Sequence, residues 1–443
     1  MPVTPDHVYS DTEIPKWTAV AVIGGGIIGV ATALELAERG IDVTLLEKGA
    51  IAGEQSSRNW GWCRQMGRDP REIPLILVAL EAWRGMNARI GGETGFRQSG
   101  IIYLCETDAE LAARESWHEH NAKPFGLDTR IVSGEEAESL QPGATRRWKG
   151  GLFTSADGRA EPFMAAPAMA QGARKKGARI LTQCAVRGLE TSAGKVSAVV
   201  TEKGRIACDT VVLAGGAWSR RFLGNLDIPF PQLSVVNSVM RCAPIETPLE
   251  RSCSAGKFSL RKRLDGGYTI AHRHLSVADI LPDSFLLFRE FLPALKVDWS
   301  GLRLRFGKRF FDEARLKRRW ALDETSPFEE VRVLDPEPVA SILDEAAASL
   351  KEYFPAFRDL QITQRWGGVI DATPDAVPVM APIAQLPGLY LATGFSGHGF
   401  GLGPGAGKLM ADLVTGSTPC VDPEPFRYTR YFDGTNPQPT TGL

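Results

Sequence analysis

The chain has 443 residues, with 51 Lys and Arg against 52 Asp and Glu, so its formal charge at pH 7 is -1. Hydrophobic residues make up 43% and charged residues 23%, ordinary values that exclude a disordered, collagen-like or coiled-coil protein. The balanced charge also argues against a nucleic-acid-binding protein, which normally needs a basic surface. At about 150 residues per domain, the length predicts two or three domains.

The first 17 residues lack the apolar segment of a signal peptide, and no long apolar run follows. We therefore expect neither a signal segment nor a membrane-spanning helix. The cysteines are odd in number and form no CxxC pair, which predicts reduced thiols, a cytoplasmic protein and no zinc site. They are Cys63, Cys105, Cys184, Cys208, Cys242, Cys253 and Cys420.

The first predicted elements form a strand, a helix and a second strand. Thr18–Ile23 is a continuous apolar run, typical of a buried parallel strand, and the motif GGGIIG follows at once. Apolar residues then recur on one helical face until Gly40, which ends the helix. Asp42–Leu46 is the second predicted strand, and Glu47 closes it.

Each part of this motif has a physical role in binding a dinucleotide. Gly24 permits the tight turn, Gly26 lets the backbone approach a pyrophosphate, and Gly29 lets the helix pack closely on the strand. The helix N-terminus offers free N–H groups to the phosphates. Glu47, 18 residues after Gly29, can accept hydrogen bonds from the ribose hydroxyls. A lone GxGxxG is weak, but the elements in register predict a bound dinucleotide.

The remainder of the chain favours FAD over a nicotinamide cofactor. A long irregular segment, 49–69, follows the second strand in place of further alternating strands and helices. Asp209–Ala214 and Leu389–Thr393 are later apolar strands, and a glycine-rich segment follows the latter. Pro404 is expected to open a helix whose N-terminus stabilises the negative charge of a reduced flavin. The alternative is a glycine-rich loop without a ligand.

These segments, together with EKGAIAGEQSSRN, CAVRGLE, VVLAGGAWSR and RWGGVIDATPD, resemble the FAD-dependent D-amino-acid-oxidase superfamily. Within it, WRGMNARIGGETGFRQSG, DGGYTIA and WALDETSPFEEVRV resemble the L-amino acid deaminases and L-amino acid oxidases. The resemblance runs from about residue 18 to residue 432. It implies non-covalent FAD contacts at Gly24, Gly26, Ile27, Ile28, Gly29, Glu47, Lys48, Gly53, Glu54, Gln55, Ser56, Ser57, Arg58, Val186, Ala214, Gly215, Trp218, Gly397, His398, Gly399, Gly401 and Gly403.

We predict an α/β fold (α+β, two-domain). A Rossmann-like FAD-binding domain of the glutathione-reductase type is interleaved with an antiparallel-sheet substrate domain. The FAD-binding domain should comprise 15–95, 150–230 and 365–425, and the substrate domain 96–149 and 231–364. Within the latter, Leu260–Ile270 alternates around Asp-Gly-Gly, which predicts a hairpin.

The segment 296–319 departs from the neutral average, with nine Lys and Arg against three Asp and Glu interleaved with apolar residues. Alternation from Leu302 to Phe306 makes part of this basic insertion strand-like. One interpretation is a basic amphipathic surface that touches a membrane or covers the active site. The other is a solvated face with an apolar underside.

Oxidation of an α-amino acid requires a clamp on its carboxylate, a neutral amine and a Cα–H directed at the flavin. The clamp should be an arginine, whose planar fork donates two parallel hydrogen bonds. Glycine and D-amino acid oxidases place an Arg-Pro pair where this chain has Ile370 and Asp371. Similarity to the deaminases assigns the clamp to Arg261, although a surface strand arginine is the alternative.

The further predicted substrate and catalytic residues are less specific. Arg64 and Gln65 are polar candidates beside a Trp-rich wall of Trp60 and Trp62. His398 is placed beside the flavin or substrate, with a structural role as the alternative. His272 and His274 are interpreted as structural and not as metal ligands. Apolar residues are expected to line a pocket for bulky apolar or aromatic side chains: Val239, Met240, Val369 and Ile370.

The sequence thus predicts an FAD-dependent L-amino acid oxidase or deaminase that yields 2-oxo acids and ammonia. We expect dioxygen to accept the electrons, giving hydrogen peroxide, and the protein to be a homo-oligomer. The alternatives are a D-amino acid dehydrogenase or secondary-amine oxidase, and an FAD subunit of an amine-oxidising complex. Such complexes often carry cysteine clusters for iron–sulfur centres, which this sequence lacks.

Overall fold

The computed structural model describes residues 3–297, 299–435 and 437–440, and most of its strands belong to two large sheets. The strands are β1 Trp17–Ile23, β2 Val43–Leu46, β3 Trp62–Cys63, β4 Ile101–Cys105, β5 Thr129–Ser133, β6 Gly150–Thr154, β7 Gly158–Arg159, β8 Arg179–Leu181, β9 Val186–Ser192, β10 Lys195–Thr201, β11 Gly204–Leu213, β12 Leu233–Cys242, β13 Ser252–Ala255, β14 Phe258–Lys262, β15 Tyr268–His272, β16 Ser276–Asp279, β17 Leu302–Arg305, β18 Ile362–Ala372, β19 Val379–Pro382 and β20 Leu389–Thr393. The α-helices are α1 Ile27–Glu38, α2 Gln55–Arg58, α3 Ile73–Ile90, α4 Asp108–Trp117, α5 Gly134–Leu140, α6 Pro162–Lys175, α7 Ser219–Asn225, α8 Pro282–Leu286, α9 Phe288–Val297, α10 Lys308–Arg315, α11 Pro327–Glu330, α12 Ala340–Tyr353 and α13 Gly399–Thr415.

The first sheet has the order β19-β20-β11-β1-β2-β8, and its five strands from β20 to β8 run parallel. The hairpin of β9 and β10 extends from β11. Helices α1, α3, α6 and α13 cover one face and form the largest apolar core with it. The hairpin of β9 and β10 and helix α7 form a further apolar core with the other face. The parallel strands are therefore apolar on both faces, as the predicted runs at β1 and β20 require.

The second sheet has the order β17-β16-β12-β15-β14-β13-β4-β6-β5 and is mainly antiparallel. Strand β18 pairs with β12 along almost its full length, from Leu233 opposite Ala372 to Cys242 opposite Ile362. Helix α12 packs on this sheet and closes a second core. The carboxyl-terminal part of β18 lies against the first sheet, so this strand joins the two halves of the molecule.

The structure contains the predicted α/β architecture of two sheets with interleaved segments. The hairpin around Asp265 is confirmed, with Leu260 opposite Ile270. Strands β6 and β18 lie at the predicted domain borders 150 and 365, and both pair within the second sheet. The limits of the two domains therefore stay a prediction.

Helix α13 begins earlier than the sequence predicts. It starts at Gly399, so Pro404 lies inside the helix and the prediction that Pro404 opens it is wrong. The glycines of this segment permit close helix packing: a Cβ on Gly405 would lie 2.7 Å from the Leu75 carbonyl oxygen, and one on Gly407 2.5 Å from the Ala31 carbonyl carbon. Much of the glycine-rich segment therefore packs helices together and forms no loop.

The basic insertion folds onto the edge of the second sheet. Strand β17 lies within it, as the alternation predicts, and pairs in parallel with β16. Large apolar side chains of the insertion and of helices α8 and α9 before it are more than half exposed, among them Phe285, Phe288 and Phe306. No helix in the described part of the chain is long and apolar enough to cross a membrane.

Candidate active site

A long cavity follows the carboxyl ends of β1, β2 and β11, where the predicted dinucleotide motif lies. We call it the dinucleotide cavity. Gly24 has φ +108°, and a Cβ there would overlap the carbonyl oxygen of Ala214. A Cβ on Gly29 would overlap the carbonyl oxygen of Gly24. The backbone conformation therefore requires glycine at both positions, as the motif predicts.

The acid at the end of β2 is oriented by the motif itself. Glu47 Oε2 accepts a hydrogen bond from Gly25 N at 2.6 Å, and Oε1 accepts one from Gly49 N at 2.7 Å. Burial raises the pKa of this carboxyl, while Lys48 and the two backbone donors act in the opposite direction. Ser56 Oγ caps the start of α1 by accepting from Ile27 N at 2.9 Å. These groups surround the position of a ribose and a pyrophosphate.

Lys48 and Glu54 are bound to each other and to a later loop. Lys48 Nζ lies 2.7 Å from Glu54 Oε1 and donates to the Val331 carbonyl at 2.8 Å. Glu54 also accepts from Trp218 Nε1 at 3.1 Å. The ammonium lies 4.4 Å from the centroid of the Trp218 ring. These side chains therefore fix the wall of the cavity and hold its loops together.

Most of the predicted cofactor residues line this cavity. They are Gly24, Gly26, Ile27, Ile28, Glu47, Lys48, Gly53, Glu54, Gln55, Ser56, Val186, Ala214, Gly215, Trp218, Gly397 and Gly399. Gly29, Ser57, Arg58, His398, Gly401 and Gly403 do not. For Gly401 and Gly403 the reason is packing, since Cβ atoms there would meet the Trp62 carbonyl at 3.2 Å and the Ile27 side chain at 2.8 Å.

Several residues that line the far end of the cavity were not predicted from the sequence, including Asp371, Thr393 and Phe395. Asp371 is buried and accepts from Gly394 N at 2.7 Å. Burial raises the pKa of its carboxyl to about 6, although backbone donors oppose the shift. Its position directly after Ile370, at the end of an apolar run, was the available signal.

The donor set fits FAD. The glycine-lined turn, the buried acid at the end of β2 and the N-terminus of α1 fit the adenosine and pyrophosphate. The far end is lined by Gly397 and Gly399 at the N-terminus of α13, which favours negative charge on a reduced flavin. The oxygen Oε1 of Gln55 is buried there without a hydrogen-bond partner in the described residues. A polar ring edge would satisfy it.

A second cavity, which we call the substrate chamber, adjoins this far end. The two cavities share Gln55, Asn59, Gly397 and Phe400. The chamber has a volume of about 160 Å³. Three arginines, Arg64, Arg68 and Arg273, line it together with Arg58, whose guanidinium is paired with Asp335 and donates to the Gly367 carbonyl at 3.0 Å.

The three arginines differ in how far they are neutralised. Arg68 Nη1 lies 3.6 Å from Glu72 Oε2, and burial with the neighbouring charge of Arg64 lowers the pKa of Arg68 to about 10. Arg64 donates to the Met66 carbonyl. Arg273 Nη1 lies 3.2 Å from Glu110 Oε1, which accepts a hydrogen bond from this guanidinium. The chamber is therefore suited to a carboxylate.

The prediction that Arg261 clamps the substrate is wrong. Its guanidinium donates to both oxygens of Glu161, at 2.9 and 3.1 Å, and to Thr269 Oγ1 at 3.0 Å. Arg261 is 1% exposed and lines neither the chamber nor the dinucleotide cavity. The alternation of β14 directs it between the second sheet and the start of α6, where the Glu161 carboxylate occupies its fork.

His398 lies at the N-cap of α13 and lines the chamber. Its Nδ1 is 2.9 Å from Glu72 Oε2. Burial lowers the pKa of the imidazole, and the smaller effect of the neighbouring Glu72 is to raise it. Because Glu72 accepts a proton at Nδ1, the neutral ring carries its lone pair on Nε2. His398 thus lines the chamber, and its contact with a substrate stays a prediction.

Other predicted substrate residues do not reach the chamber. Val239 and Met240 are buried in two separate apolar clusters, because their strand β12 lies at the centre of the second sheet. Val369 lines the dinucleotide cavity instead. Gln65 turns away and donates to Asp128 Oδ1 at 2.6 Å. Of the predicted apolar lining, Ile370 remains in the chamber.

The Trp-rich wall is present. Trp60 and Trp62 line the chamber with their ring centroids 5.4 Å apart, and Trp60 Nε1 donates to Asn237 Oδ1 at 3.3 Å. His272 accepts backbone hydrogen bonds at Nδ1 from His274 N and Leu275 N. Both histidines line the chamber, and their interpretation as structural residues stays a prediction.

Comparison with known proteins places this geometry in context. The family model described as FAD dependent oxidoreductase, DAO, matches residues 19–413. The solved L-amino acid deaminase of Proteus myxofaciens superimposes with a TM-score of 0.93 at 37% identity, covering 96% of each chain. A glycine oxidase of Pseudomonas aeruginosa is 26% identical over 92% of this chain and 97% of its own. A D-amino acid dehydrogenase of Bradyrhizobium diazoefficiens is 24% identical over 93% and 98%.

Proposed function

The chain belongs to the DAO family of FAD-dependent oxidoreductases, whose cofactor is FAD, and from that premise we propose that it oxidatively deaminates L-α-amino acids. The observation that carries the proposal is the arginine-lined chamber at the flavin end of the dinucleotide cavity. The likeness to the Proteus deaminase, solved with anthranilate, supports it, since anthranilate is an aromatic carboxylate.

Arg273 is the proposed carboxylate clamp. Bound FAD supplies the acceptor for a hydride from Cα, so the chain has to hold the amino acid in one orientation. Glu110 holds Arg273 at Nη1 and leaves other N–H groups of the fork for the substrate carboxylate. Arg64 and Arg68 add positive charge to the same chamber.

His398 is the proposed acceptor of the proton that the substrate ammonium has to lose. The ring is neutral because burial lowers its pKa, and Glu72 fixes the tautomer with Nε2 free. A neutral amine is required before a hydride can leave Cα, because the nitrogen lone pair stabilises the developing positive charge. The imino acid then hydrolyses to a 2-oxo acid and ammonia.

Trp60, Trp62, Ile370 and Phe400 form the apolar part of the chamber. Such a surface favours bulky apolar or aromatic side chains and provides no carboxylate for a basic side chain. The arginines make lysine-like substrates unfavourable by like-charge repulsion.

A second candidate is oxidation of glycine, secondary amines or D-amino acids. The sequence similarity to a glycine oxidase and a D-amino acid dehydrogenase favours it.

The test is anaerobic reduction of the purified holoenzyme with single amino acids, followed as loss of the flavin absorbance. We expect bleaching by L-phenylalanine and L-leucine within seconds and little by their D-isomers, glycine or sarcosine. Faster bleaching by the latter group would establish the second candidate instead.

A further inference from the structure

A third cavity reaches the dinucleotide cavity from the side of the basic insertion. We call it the vestibule. It shares Ala217, Trp218 and Val369 with the dinucleotide cavity and no residue with the substrate chamber. Its volume is about 560 Å³, enough for a small organic molecule. A ligand in the vestibule therefore approaches the cofactor by a wall that the amino acid does not use.

The walls of the vestibule carry more positive than negative charge. Its lining arginines are Arg220, Arg221, Arg309, Arg318 and Arg319, and its lining acids are Asp227, Asp283 and Glu313. Several of these arginines come from the segment 296–319, whose basic composition the proposed deamination does not explain.

The pairing of these groups shows where the excess charge lies. Asp283 is shared by Arg220 at 2.7 Å and Arg318 at 2.9 Å. Asp279, behind the wall, is shared by Arg305 at 2.6 Å and Arg309 at 2.7 Å. In each cluster two guanidinium groups share one carboxylate, which leaves one positive charge uncompensated.

The other two arginines are paired one to one and contribute no excess. Arg221 Nη2 lies 2.6 Å from Glu313, and Arg319 is paired with Asp227. The vestibule thus holds two surplus charges, contributed by the Asp283 and Asp279 clusters. A cleft lined by one sign of charge attracts small ions of the other sign.

We propose that the vestibule is the binding site of a small anionic electron acceptor that reoxidises the enzyme. Each turnover of the amino acid leaves a hydride, equivalent to two electrons and a proton, on the cofactor. The acceptor takes both electrons, and the proton passes to the acceptor or to solvent as FAD returns to its oxidised form. The proposal rests on the family's redox chemistry and not on which amino acid is oxidised. It concerns an acceptor other than dioxygen, which is neutral.

The double variant Arg309→Gln/Arg318→Gln tests this proposal. It removes both surplus charges, yet Asp279 keeps Arg305 and Asp283 keeps Arg220, so no buried acid loses its last partner. The matched control is Arg303→Gln. Arg303 is a cation of the same insertion that shares Glu345 with Lys257 at 3.1 and 3.0 Å but lies outside the vestibule lining.

The measurement uses pre-reduced holoenzyme mixed anaerobically with an anionic acceptor, 2,6-dichlorophenolindophenol, or a cationic one, phenazine methosulfate. At low ionic strength, reoxidation by the anion should slow about tenfold in the double variant and keep its rate in Arg303→Gln. Reoxidation by the cation should not slow. Equilibrium dialysis of the anionic dye against oxidised holoenzyme should show the same loss of affinity.

Two outcomes would overturn the proposal. The first is equal slowing with both acceptors, and the second is equal slowing in the double variant and in Arg303→Gln. Anaerobic reduction by the amino acid is recorded in the same samples. If reduction fails with every amino acid while the dye still distinguishes the variants, the deamination proposal fails and the vestibule proposal stands.

Discussion

The dinucleotide cavity and the substrate chamber meet at Gln55 and Gly397 but are built in different ways. The cavity is built largely from backbone: the glycine turn at Gly24 and the start of α1, where Ile27 N donates to Ser56 Oγ. The chamber presents charged side chains that arrive from separate parts of the chain. A backbone-built site depends on a short segment keeping its conformation, whereas a side-chain-built site depends on long-range packing and is free to change its specificity.

The largest expected effect tests the backbone-built site. In Gly24→Ala, the new Cβ would overlap the Ala214 carbonyl at a φ of +108°, so the turn cannot keep its conformation. We expect purified Gly24→Ala to contain almost no FAD, measured as flavin absorbance per protein. Gly85→Ala on α3 is the control, because a Cβ there meets nothing within 4 Å. It should keep its FAD and gain roughly 0.5–1 kcal/mol in stability.

The second prediction compares Arg273, which lines the chamber, with Arg261, which does not. Arg273→Met should lower kcat/KM roughly 30-fold to several thousand-fold, equivalent to about 2–5 kcal/mol, with the flavin spectrum and Tm retained. Arg273→Lys should recover part of the loss. Arg261→Met should act differently, because it leaves the buried Glu161 without its partner and destabilises the fold by about 3–5 kcal/mol.

Steady-state kinetics and thermal unfolding of the two variants provide the comparison. If Arg261→Met lost kcat/KM at an unchanged Tm, the clamp would be Arg261 after all. If Arg273→Met kept normal kinetics, Arg64 would be the next arginine to substitute.

The third prediction concerns His398. If its imidazole takes the ammonium proton, His398→Gln should lower kcat/KM about 100-fold at neutral pH. The loss should shrink as the pH rises toward the pKa of the substrate amine, because free amine then enters directly. A pH profile of kcat/KM for both proteins measures this. A loss that stays constant with pH would indicate a purely structural role.

The smallest expected effect lies beneath the chamber, at Asp157. This buried carboxyl accepts from Gln65 N at 2.7 Å, and burial raises its pKa to about 7 although its hydrogen bonds oppose the shift. The unfolded chain releases this proton near pH 4, so the contribution of Asp157 to stability falls as the pH rises from about 4 through about 7.

Asp157→Asn removes this titration. Relative to the natural chain, the variant should become more stable across the same interval, by on the order of 2 kcal/mol. Thermal unfolding at several pH values checks it, and a Tm difference that does not change between pH 4 and pH 7 would contradict the expectation.

The same contrast explains what the sequence could predict. The motif from Gly24 to Glu47 is local, so spacing and strand periodicity suffice to place the dinucleotide cavity. The clamp could not be placed this way. Arg261 and Arg273 belong to one hairpin region, so the sequence alone does not distinguish them. In the structure, Glu161 occupies the guanidinium fork of Arg261, whereas Glu110 contacts Arg273 at Nη1 and leaves its other N–H groups available.

The helix α13 shows a second limit. The apolar pattern predicts that strand β20 ends at Thr393, which is confirmed, and the proline predicts a helix start at Pro404. The true start at Gly399 depends on glycines that fit against Leu75 and Ala31, which are distant in the chain. Asp371 was missed for the same reason, because Gly394, whose N–H donates a hydrogen bond to it, belongs to a later segment of the chain that follows β20.

The dispersal of the first sheet along the chain has a consequence for biosynthesis. Strand β1 leaves the ribosome long before β20 and α13, which complete the dinucleotide cavity and follow more than three hundred residues later. Helix α6 covers part of α1 earlier, but the part of its apolar face at Ala31 lacks its cover until Gly407 packs there. FAD can therefore be loaded only after α13 has been synthesised, and the nascent chain must be protected from aggregation during that interval.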